Sequence, residues 1–237
     1  MAKSAEERLY EQIWKNKVVR EVCDLTADGT LRRDAALPLL ASGSRLLDVG
    51  CGEGTLALQA REKFNEVYGV DISREAVSRA SSAGITTALV NLNVDPLPYP
   101  KDFFDTVVTL DVIEHVFDPV AFLDELCRVL RPGGILVVST PNIRKLQRMY
   151  SLLRGRFPRT SYDPVGYDGG HLHYFTSMDL RLLLAAQGFE VLNVRGICGD
   201  RRTWKYKIVV GILGKSFEEE FLSSAIIVQA RKRSQLP

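Results

Sequence analysis

The 237-residue sequence has few cysteines, few histidines and no long apolar run. Its four cysteines, Cys23, Cys51, Cys127 and Cys198, are widely separated, and no C-x-x-C pair of a zinc or redox site occurs. No stretch approaches the roughly 18 apolar residues that span a bilayer, and charges occupy the N-terminus where a signal peptide has its apolar core. We therefore expect free buried thiols and a cytoplasmic protein.

Net charge is also nearly absent. Lysine and arginine number 31 against 29 acidic residues, so the formal charge of +2 does not single out a nucleic-acid partner. The length suits one sizeable core and is short for two domains with a linker. We expect a single domain over residues 1–237.

Apolar runs alternate with amphipathic segments along most of the chain. Strands are predicted at 44–50, 66–71, 86–91, 104–111, 135–140, 189–196 and 223–231, the first of them buried. Helices are predicted from Ser4, which forms a capping box with Glu7, to about Leu40, and at 55–64, 74–84, 119–130 and 177–188. Ser73 is the predicted cap of the helix over 74–84. Strands separated by helices imply right-handed crossovers, and hence an α/β fold with a mainly parallel sheet covered on both faces.

The stretch "LLDVGCGEGTL" places Gly50, Gly52 and Gly54 directly after the first strand. A dinucleotide fingerprint, G-x-G-x-x-G, needs its third glycine where Thr55 stands, so this spacing disfavours a dinucleotide. Asp71 ends the next strand, 21 positions after Gly50, where a carboxylate can accept hydrogen bonds from ribose hydroxyls. A plain turn and a helix-initiating aspartate are the structural alternatives.

Four segments in order, "LDVGCGEGTL", "VYGVDIS", "LNVDPLPYPKDFFDTVVTLDVIEHV" and "LRPGGILVVSTP", resemble the motifs of class I S-adenosylmethionine (SAM) dependent methyltransferases. The resemblance covers about residues 40 to 141. It implies SAM as cofactor and a Rossmann-like three-layer sandwich, whose seven-stranded sheet has its last strand inserted antiparallel.

The resemblance also implies a set of cofactor contacts. Asp48 would position the loop or reach the ammonium group of SAM, and Asp71 would take the ribose hydroxyls. Relatives carry an acidic residue against the adenine where this chain has Asn93, and an amide can still donate and accept there. The full implied set is Asp48, Gly50, Cys51, Gly52, Gly54, Asp71, Ile72, Asn93, Val94 and Leu110.

Methyl transfer to a hydroxyl needs a group that removes a proton, and histidine suits this task. His115, His171 and His173 all follow predicted strand ends or lie in loops. We predict His115 or His171 as the base, with Asp111 facing the transferred methyl. For His171 and His173, a hydrogen-bonded loop that caps the next helix is the alternative.

The stretch "DVIEH" resembles a pattern of ubiquinone-type O-methyltransferases and of small-RNA terminal 2′-O-methyltransferases, some of which bind a divalent ion with it. An ion would need Asp111, Glu114 and His115 to converge. Glu-His also occurs at this position as a packing pair, and we predict no metal.

Six basic residues and no acidic one lie between residues 141 and 160: Arg144, Lys145, Arg148, Arg154, Arg156 and Arg159. Apolar residues are interleaved with these basic ones. Segment 144–160 is therefore a candidate lid over an anionic acceptor, or a peripheral contact with a membrane that holds a lipid-linked acceptor. A solvated helix is the alternative.

Segments 141–175 and 198–222 are expected to shape the acceptor pocket. Residues 1–40 form a helical cap in which Tyr10 and Trp14 either close the cofactor pocket or pack in the core.

These observations predict a SAM-dependent methyltransferase that acts on a small molecule, at a hydroxyl oxygen. One alternative is a SAM-binding regulatory or scaffold protein without turnover. Another is an aminopropyltransferase, which is disfavoured because no acidic diamine-binding stretch surrounds Asp111 beyond "DVIEH".

Overall fold

The computed structural model describes residues 8, 9, 11, 12, 27–161, 167–198 and 204–234. The helices are α1 (Ala27–Ala36), α2 (Thr55–Ala60), α3 (Arg74–Ser82), α4 (Pro119–Val129), α5 (Leu146–Leu153), α6 (Ser177–Ala186) and α7 (Trp204–Phe217). The strands are β1 (Gly43–Val49), β2 (Phe64–Asp71), β3 (Thr86–Leu89), β4 (Phe104–Leu110), β5 (Leu130–Pro141), β6 (Phe189–Ile197) and β7 (Ala225–Lys232). Short 3-10 helices cover Leu37–Leu39, Arg61–Lys63 and Tyr167–Gly170, and a π-helix covers Glu218–Leu222.

The seven strands form one sheet in the order β3-β2-β1-β4-β5-β7-β6. β1 pairs in parallel with β2 and β4, and β7 runs antiparallel to both of its neighbours, β5 and β6. This confirms the predicted Rossmann-like, mainly parallel sheet with the last strand antiparallel. Strand order reverses beside β1, and in such sheets ligands bind at this point, beyond the carboxyl ends of the strands.

Successive residues of the central strands point to opposite faces of the sheet, and both faces are buried. Leu47 of β1 and Val107 of β4 pack in the hydrophobic core on one face, which also contains Leu123 of α4. Their neighbours Leu46 and Val108 pack in the core on the other face. The near-continuous apolar strands in the sequence are therefore a consequence of helices covering both sides.

Three crossover helices begin at side-chain caps. Ser73 accepts from the backbone N–H of Ala76 at the start of α3, as the sequence predicts. Asp118 accepts from the backbone N–H groups of Val120 and Ala121 at the start of α4, and Thr176 with Asp179 forms a capping box for α6. Each cap satisfies N–H groups that a helix start leaves without partners.

Two predicted boundaries are wrong. The helix predicted over 55–64 ends at Ala60, because a 3-10 turn follows and Phe64 already belongs to β2, where it is buried. The strand predicted over 135–140 begins at Leu130, which pairs with Phe104, while Ile135 pairs with Thr106. The residues between them, including Gly133 with its positive φ of 74°, form an irregularity in this pairing.

The predicted N-terminal helix is described only in part. Residues 8, 9, 11 and 12 are helical, and α1 ends at Ala36 before the 3-10 turn that contains Pro38. The predicted capping box of Ser4 and Glu7, and the aromatic residues Tyr10 and Trp14, lie outside the described residues. Helix α7 was not predicted; it contains two glycines, Gly211 and Gly214, and these lower helix propensity.

Candidate active site

The glycine-rich loop connects β1 to α2 at the carboxyl edge of the sheet. The backbone N–H groups of Gly50 and Cys51 both donate to the carbonyl of Val70 on β2, at 2.8 and 3.0 Å. Gly50, Gly52 and Gly54 all adopt positive φ, between 55° and 80°. An added Cβ would collide with Val112 at Gly50 and lie 2.5 Å from Ile85 Cδ1 at Gly54. The tight path of this loop therefore requires glycine.

Asp71, at the end of β2, is held beside the glycine loop. Its Oδ2 accepts from the N–H of Gly52 and its Oδ1 from the N–H of Ser73, both at 2.9 Å. A carboxylate oxygen accepts more than one hydrogen bond, so these contacts orient the group and still let it accept from a ribose diol. Loop and carboxylate together fit the nucleoside and aminoacyl parts of SAM.

Two other predicted cofactor residues are buried here, Asp48 near the end of β1 and Cys51 within the loop. Burial, followed by the charge of Asp71, raises the pKa of Asp48 to about 7, while the N–H of Ala57 partly opposes this shift. The Cys51 side chain faces Gly69 on β2, where an added Cβ would lie 2.8 Å from its Sγ. Burial raises the pKa of this thiol, so Cys51 faces the loop interior as an uncharged group.

The predicted adenine contacts follow β3. Asn93 Oδ1 accepts from the N–H of Phe117 at 2.7 Å, which ties this loop to the turn before α4. A cavity of about 250 Å³ lies beside it, between residues 92–97 and the start of α4. Val94 is 73% exposed, whereas Ile72 and Leu110 are half-buried at the ends of β2 and β4.

Asp111 follows β4 in the left-handed conformation, with a φ of 54°. One carboxylate oxygen forms an ion pair with Arg32 of α1, and the other accepts from the Ser139 hydroxyl at 2.9 Å. The predicted catalytic aspartate is therefore charge-paired and hydrogen-bonded from two other elements. Such a carboxylate is suited to orienting its turn rather than to removing a proton.

Glu114 lies in the turn that follows Asp111 and is completely buried. Neither carboxyl oxygen has a hydrogen-bond partner within the part of the chain that the structure describes. Burial, followed by the charge of Asp111, raises the pKa of Glu114 well above its usual range. The backbone carbonyl of Glu114 accepts from the N–H groups of Leu172 and His173, at 2.8 and 3.1 Å. These two hydrogen bonds fix the loop that carries His171 and His173 against this turn.

This arrangement brings two of the three histidines together. The rings of His115 and His171 meet edge to face with centroids 4.6 Å apart. His115 Nδ1 lies 3.2 Å from the carbonyl of Gly170. Burial, followed by the neighbouring His171, lowers the pKa of His115 to about 4, and burial also lowers the pKa of His171. Both imidazoles are therefore neutral at pH 7. His173 instead lies beside Phe175.

Glu114, His115 and His171 each offer one ligand atom within 4.8 Å of the other two. The set predicted from the sequence contained Asp111, and the structure instead brings His171 to Glu114 and His115. A divalent ion needs deprotonated ligands, yet Asp111 is paired with Arg32 and the raised pKa of Glu114 favours its neutral form. These two observations disfavour a divalent ion at the three groups, and the absence of a metal stays a prediction.

Sequence reasoning missed Thr160, Asp168 and Tyr174. Asp168 is buried in a left-handed turn, and its carboxylate accepts four hydrogen bonds, from the N–H and hydroxyl of Thr160, the N–H of Ser161 and the hydroxyl of Tyr174. Thr160 Oγ1 also lies 2.6 Å from His171 Nδ1. The only signal in the sequence is the Asp-Gly-Gly turn at residues 168–170.

Residues 19–194 match a family described as a methyltransferase domain. A ubiquinone biosynthesis O-methyltransferase of Cereibacter sphaeroides is 36% identical over 180 residues, which cover 74% of this chain and 72% of that relative.

Solved structures show the same fold. A SAM-dependent methyltransferase from Mesorhizobium loti aligns with a TM-score of 0.61 and 22% identity, over 86% of this chain and 99% of that one. Phosphoethanolamine N-methyltransferase 2 of Haemonchus contortus, solved with bound SAM, aligns with a TM-score of 0.59 and 17% identity, over 86% of this chain and 52% of that one.

Proposed function

Because the chain belongs to the SAM-dependent methyltransferases, we propose that it transfers the methyl group of SAM to a hydroxyl oxygen of a small-molecule acceptor. Family membership favours methyl transfer over the aminopropyltransferase and scaffold alternatives. The observation that carries the choice of oxygen is the pair of neutral imidazoles, His115 and His171, at the carboxyl end of β4. The similarity to an O-methyltransferase supports the same choice.

The cofactor is proposed to lie along the edge formed by the glycine loop and Asp71. When bound, SAM supplies an electrophilic methyl group. Asp71 would hold the ribose hydroxyls, and the glycines would let the backbone approach the aminoacyl end. The other residues proposed to line the cofactor are Asp48, Cys51, Ile72, Asn93, Val94 and Leu110.

A hydroxyl oxygen becomes a better nucleophile when a base takes its proton. A neutral imidazole can do this, and both His115 and His171 have pKa values below 6.5. We assign the proton transfer to His171, with His115 packed against it, because the carbonyl of Gly170 already orients His115. Asp111 is assigned an orienting role, in place of direct contact with the methyl.

Incubation with methyl-labelled SAM and a panel of phenols, catechols, sugars and amines tests this function. We expect methyl ethers as products. His171→Ala should lower turnover by about 100-fold while the Kd for SAM stays within twofold, since general bases contribute about that much or more. His173→Ala is the matched control and should retain turnover. Products methylated only at nitrogen, or full turnover by His171→Ala, would contradict the proposal.

We further propose that the acceptor is anionic or lipid-linked and that residues 144–160 contact a membrane surface near it. Apolar side chains of α5 point outward, with Leu152 63% and Leu153 85% exposed among the basic residues of this segment. Such a combination favours an anionic bilayer surface. Among the described helices, none is long and apolar enough to cross a bilayer.

Helix α7 has the same features as α5 and extends the proposed membrane-contacting surface. Its Ile212 is 76% exposed, and residues 201–215 contain five basic residues and no acidic one. Arg144 pairs with Glu220 just after α7 at 2.9 Å, and Arg148 donates to the carbonyl of Ser224 at 2.9 Å. These contacts connect the start of α5 to the segment that follows α7.

Co-sedimentation with vesicles tests this contact. Phosphatidylglycerol vesicles should bind the protein and phosphatidylcholine vesicles should not, with binding lost at high salt. Leu152→Asp should weaken binding, whereas Leu182→Asp on α6, where the side chain is also 63% exposed, should leave it unchanged. Equal binding to both vesicles, or equal loss in both variants, would contradict the contact.

A further inference from the structure

The buried carboxylate of Asp168 lies behind His171, on the side of the ring opposite to Glu114. Thr160 connects the two groups. Its hydroxyl lies 2.8 Å from Asp168 Oδ2 and 2.6 Å from His171 Nδ1. Glu114 Oε1 lies 4.0 Å from the other ring nitrogen, Nε2. The two nitrogens of His171 therefore face different surroundings.

The threonine hydroxyl has a single proton, and the state of Asp168 decides where it goes. Burial raises the pKa of Asp168, but the hydrogen bonds from Ser161, Thr160 and Tyr174 outweigh this, and the net shift is downward. An ionised carboxylate only accepts hydrogen bonds. Thr160 therefore donates its proton to Asp168, and its oxygen is left as an acceptor toward His171 Nδ1.

We propose that Thr160 and Asp168 are positioning residues that fix neutral His171 as the tautomer with its proton on Nδ1 and its lone pair on Nε2. An acceptor oxygen at 2.6 Å stabilises an N–H at Nδ1 and disfavours a lone pair there. Nε2 then presents its lone pair to the turn that carries Glu114 and His115. This is the tautomer that removes a proton from the acceptor, so the proposal rests on the proposed role of His171 as base.

The groups around the ring are compatible with this assignment. Asp168 on the Nδ1 side favours a proton there, and Arg148 and Arg32 both favour the neutral ring. Burial, followed by the charge of Asp111, raises the pKa of Glu114 and so favours its neutral form, which does not demand an N–H at Nε2. The His115 ring lies against His171, with its own Nδ1 directed to the carbonyl of Gly170.

Asp168→Asn is the sharpest variant. The amide oxygen can keep the two backbone N–H bonds from Thr160 and Ser161, which Oδ1 accepts in the native chain. The amide nitrogen then replaces Oδ2 and donates to the hydroxyls of Thr160 and Tyr174. With its oxygen occupied as an acceptor, Thr160 must direct its proton to His171 Nδ1, which inverts the tautomer while preserving the loop.

The tautomer is read directly from long-range ¹H–¹⁵N correlation spectra of the full chain labelled at histidine, with His171→Gln identifying the signal. We expect the Nδ1–H pattern in the native protein and the Nε2–H pattern in Asp168→Asn. Thr160→Val, which keeps the shape but removes the hydroxyl, should lose the Nδ1–H preference. Thr160→Ser, which restores the hydroxyl, should recover it.

An Nε2–H pattern in the native protein would overturn the proposal whether or not any variant folds, and so would an unchanged pattern in a folded Thr160→Val. Turnover measured with an acceptor from the panel separates the positioning role of Thr160 and Asp168 from the proposed role of His171 as the base. If the tautomer inverts in Asp168→Asn and turnover falls about 100-fold, the positioning role and the base are both supported. If the tautomer inverts and turnover is unchanged, Thr160 and Asp168 do position His171 but His171 is not the base.

Discussion

Arg32 of α1 and Asp111 at the carboxyl end of β4 form an ion pair in which both side chains are largely withdrawn from solvent. The pair links the N-terminal part of the chain to the turn that carries Glu114 and His115. The ion pair also affects the electrostatics of this turn, because Arg32 balances the charge of Asp111. Asp111 lies beside the buried carboxyl group of Glu114, which has no hydrogen-bond partner among the described residues.

Arg32→Met should destabilise the fold by about 1–3 kcal/mol, because it leaves the Asp111 carboxylate without its charged partner in a partly buried site. Asp111→Asn in the same chain should recover part of that loss, since the remaining amide carries no charge. Urea unfolding of the two single variants and the double variant measures the coupling. Additive effects, with no recovery in the double variant, would show that the pair contributes nothing to stability.

Asp71→Ala should weaken SAM binding by about 10- to 100-fold, the effect of losing hydrogen bonds to a charged group. Isothermal titration with SAM measures it. Asp179→Ala is the matched control, because Asp179 also accepts backbone and side-chain hydrogen bonds but caps α6. It should lower stability and leave the Kd unchanged. Equal weakening in both variants would indicate a general loss of structure.

His115 should contribute a loss of stability as the pH drops from about 6.5 to about 4. Burial lowers the pKa of His115 from 6.5 to about 4, so in this window the unfolded chain binds a proton that the folded chain does not. The difference corresponds to at most about 3.4 kcal/mol at the acid end. The raised pKa values of Asp48 and Glu114 act in the opposite direction, because the folded chain holds those two protons more tightly. The free energy of unfolding of His115→Gln, relative to that of the native chain, should therefore rise as the pH falls through this range. A pH dependence identical to that of the native chain would exclude the contribution of His115.

Exhaustive treatment with a chelator should leave turnover within about twofold of its starting value. The reasons are the pairing of Asp111 with Arg32 and the raised pKa of Glu114, since a divalent ion requires ionised carboxylates. Metal content measured by mass spectrometry accompanies the assay. Glu114→Gln, which resembles the protonated acid in shape, should likewise retain turnover. Activity lost on chelation and restored by Zn²⁺ or Mg²⁺ would contradict this prediction.

The parts of the fold that depend on short-range pattern were predictable. Apolar runs marked the central strands because both faces of the sheet are buried there, and Ser73 marked the start of α3 because its hydroxyl caps the helix. The boundaries at Ala60 and Leu130 were missed because strand pairing, which is not visible in local sequence, extended β2 and β5 into the neighbouring segments.

The placement of candidate site residues was predictable where they lie at strand ends. Gly50, Asp71 and Asp111 lie at such ends, and parallel pairing brings those ends together. The pairing of Asp111 with Arg32 joins residues far apart in the sequence, and no spacing rule reports it. The contact of Thr160 with His171 depends on a left-handed turn at Asp168, a conformation rarely adopted by residues other than glycine.

The position of β7 between β5 and β6 affects the order in which the chain can fold during synthesis. β1 to β5 can pair with one another as they leave the ribosome, but β6 pairs only with β7, which is translated after it. Until Ala225–Lys232 is available, β6 and the free edge of β5 remain unpaired, and unpaired edges promote association between chains. The solubility of the nascent protein therefore depends on a strand that is translated last among the seven.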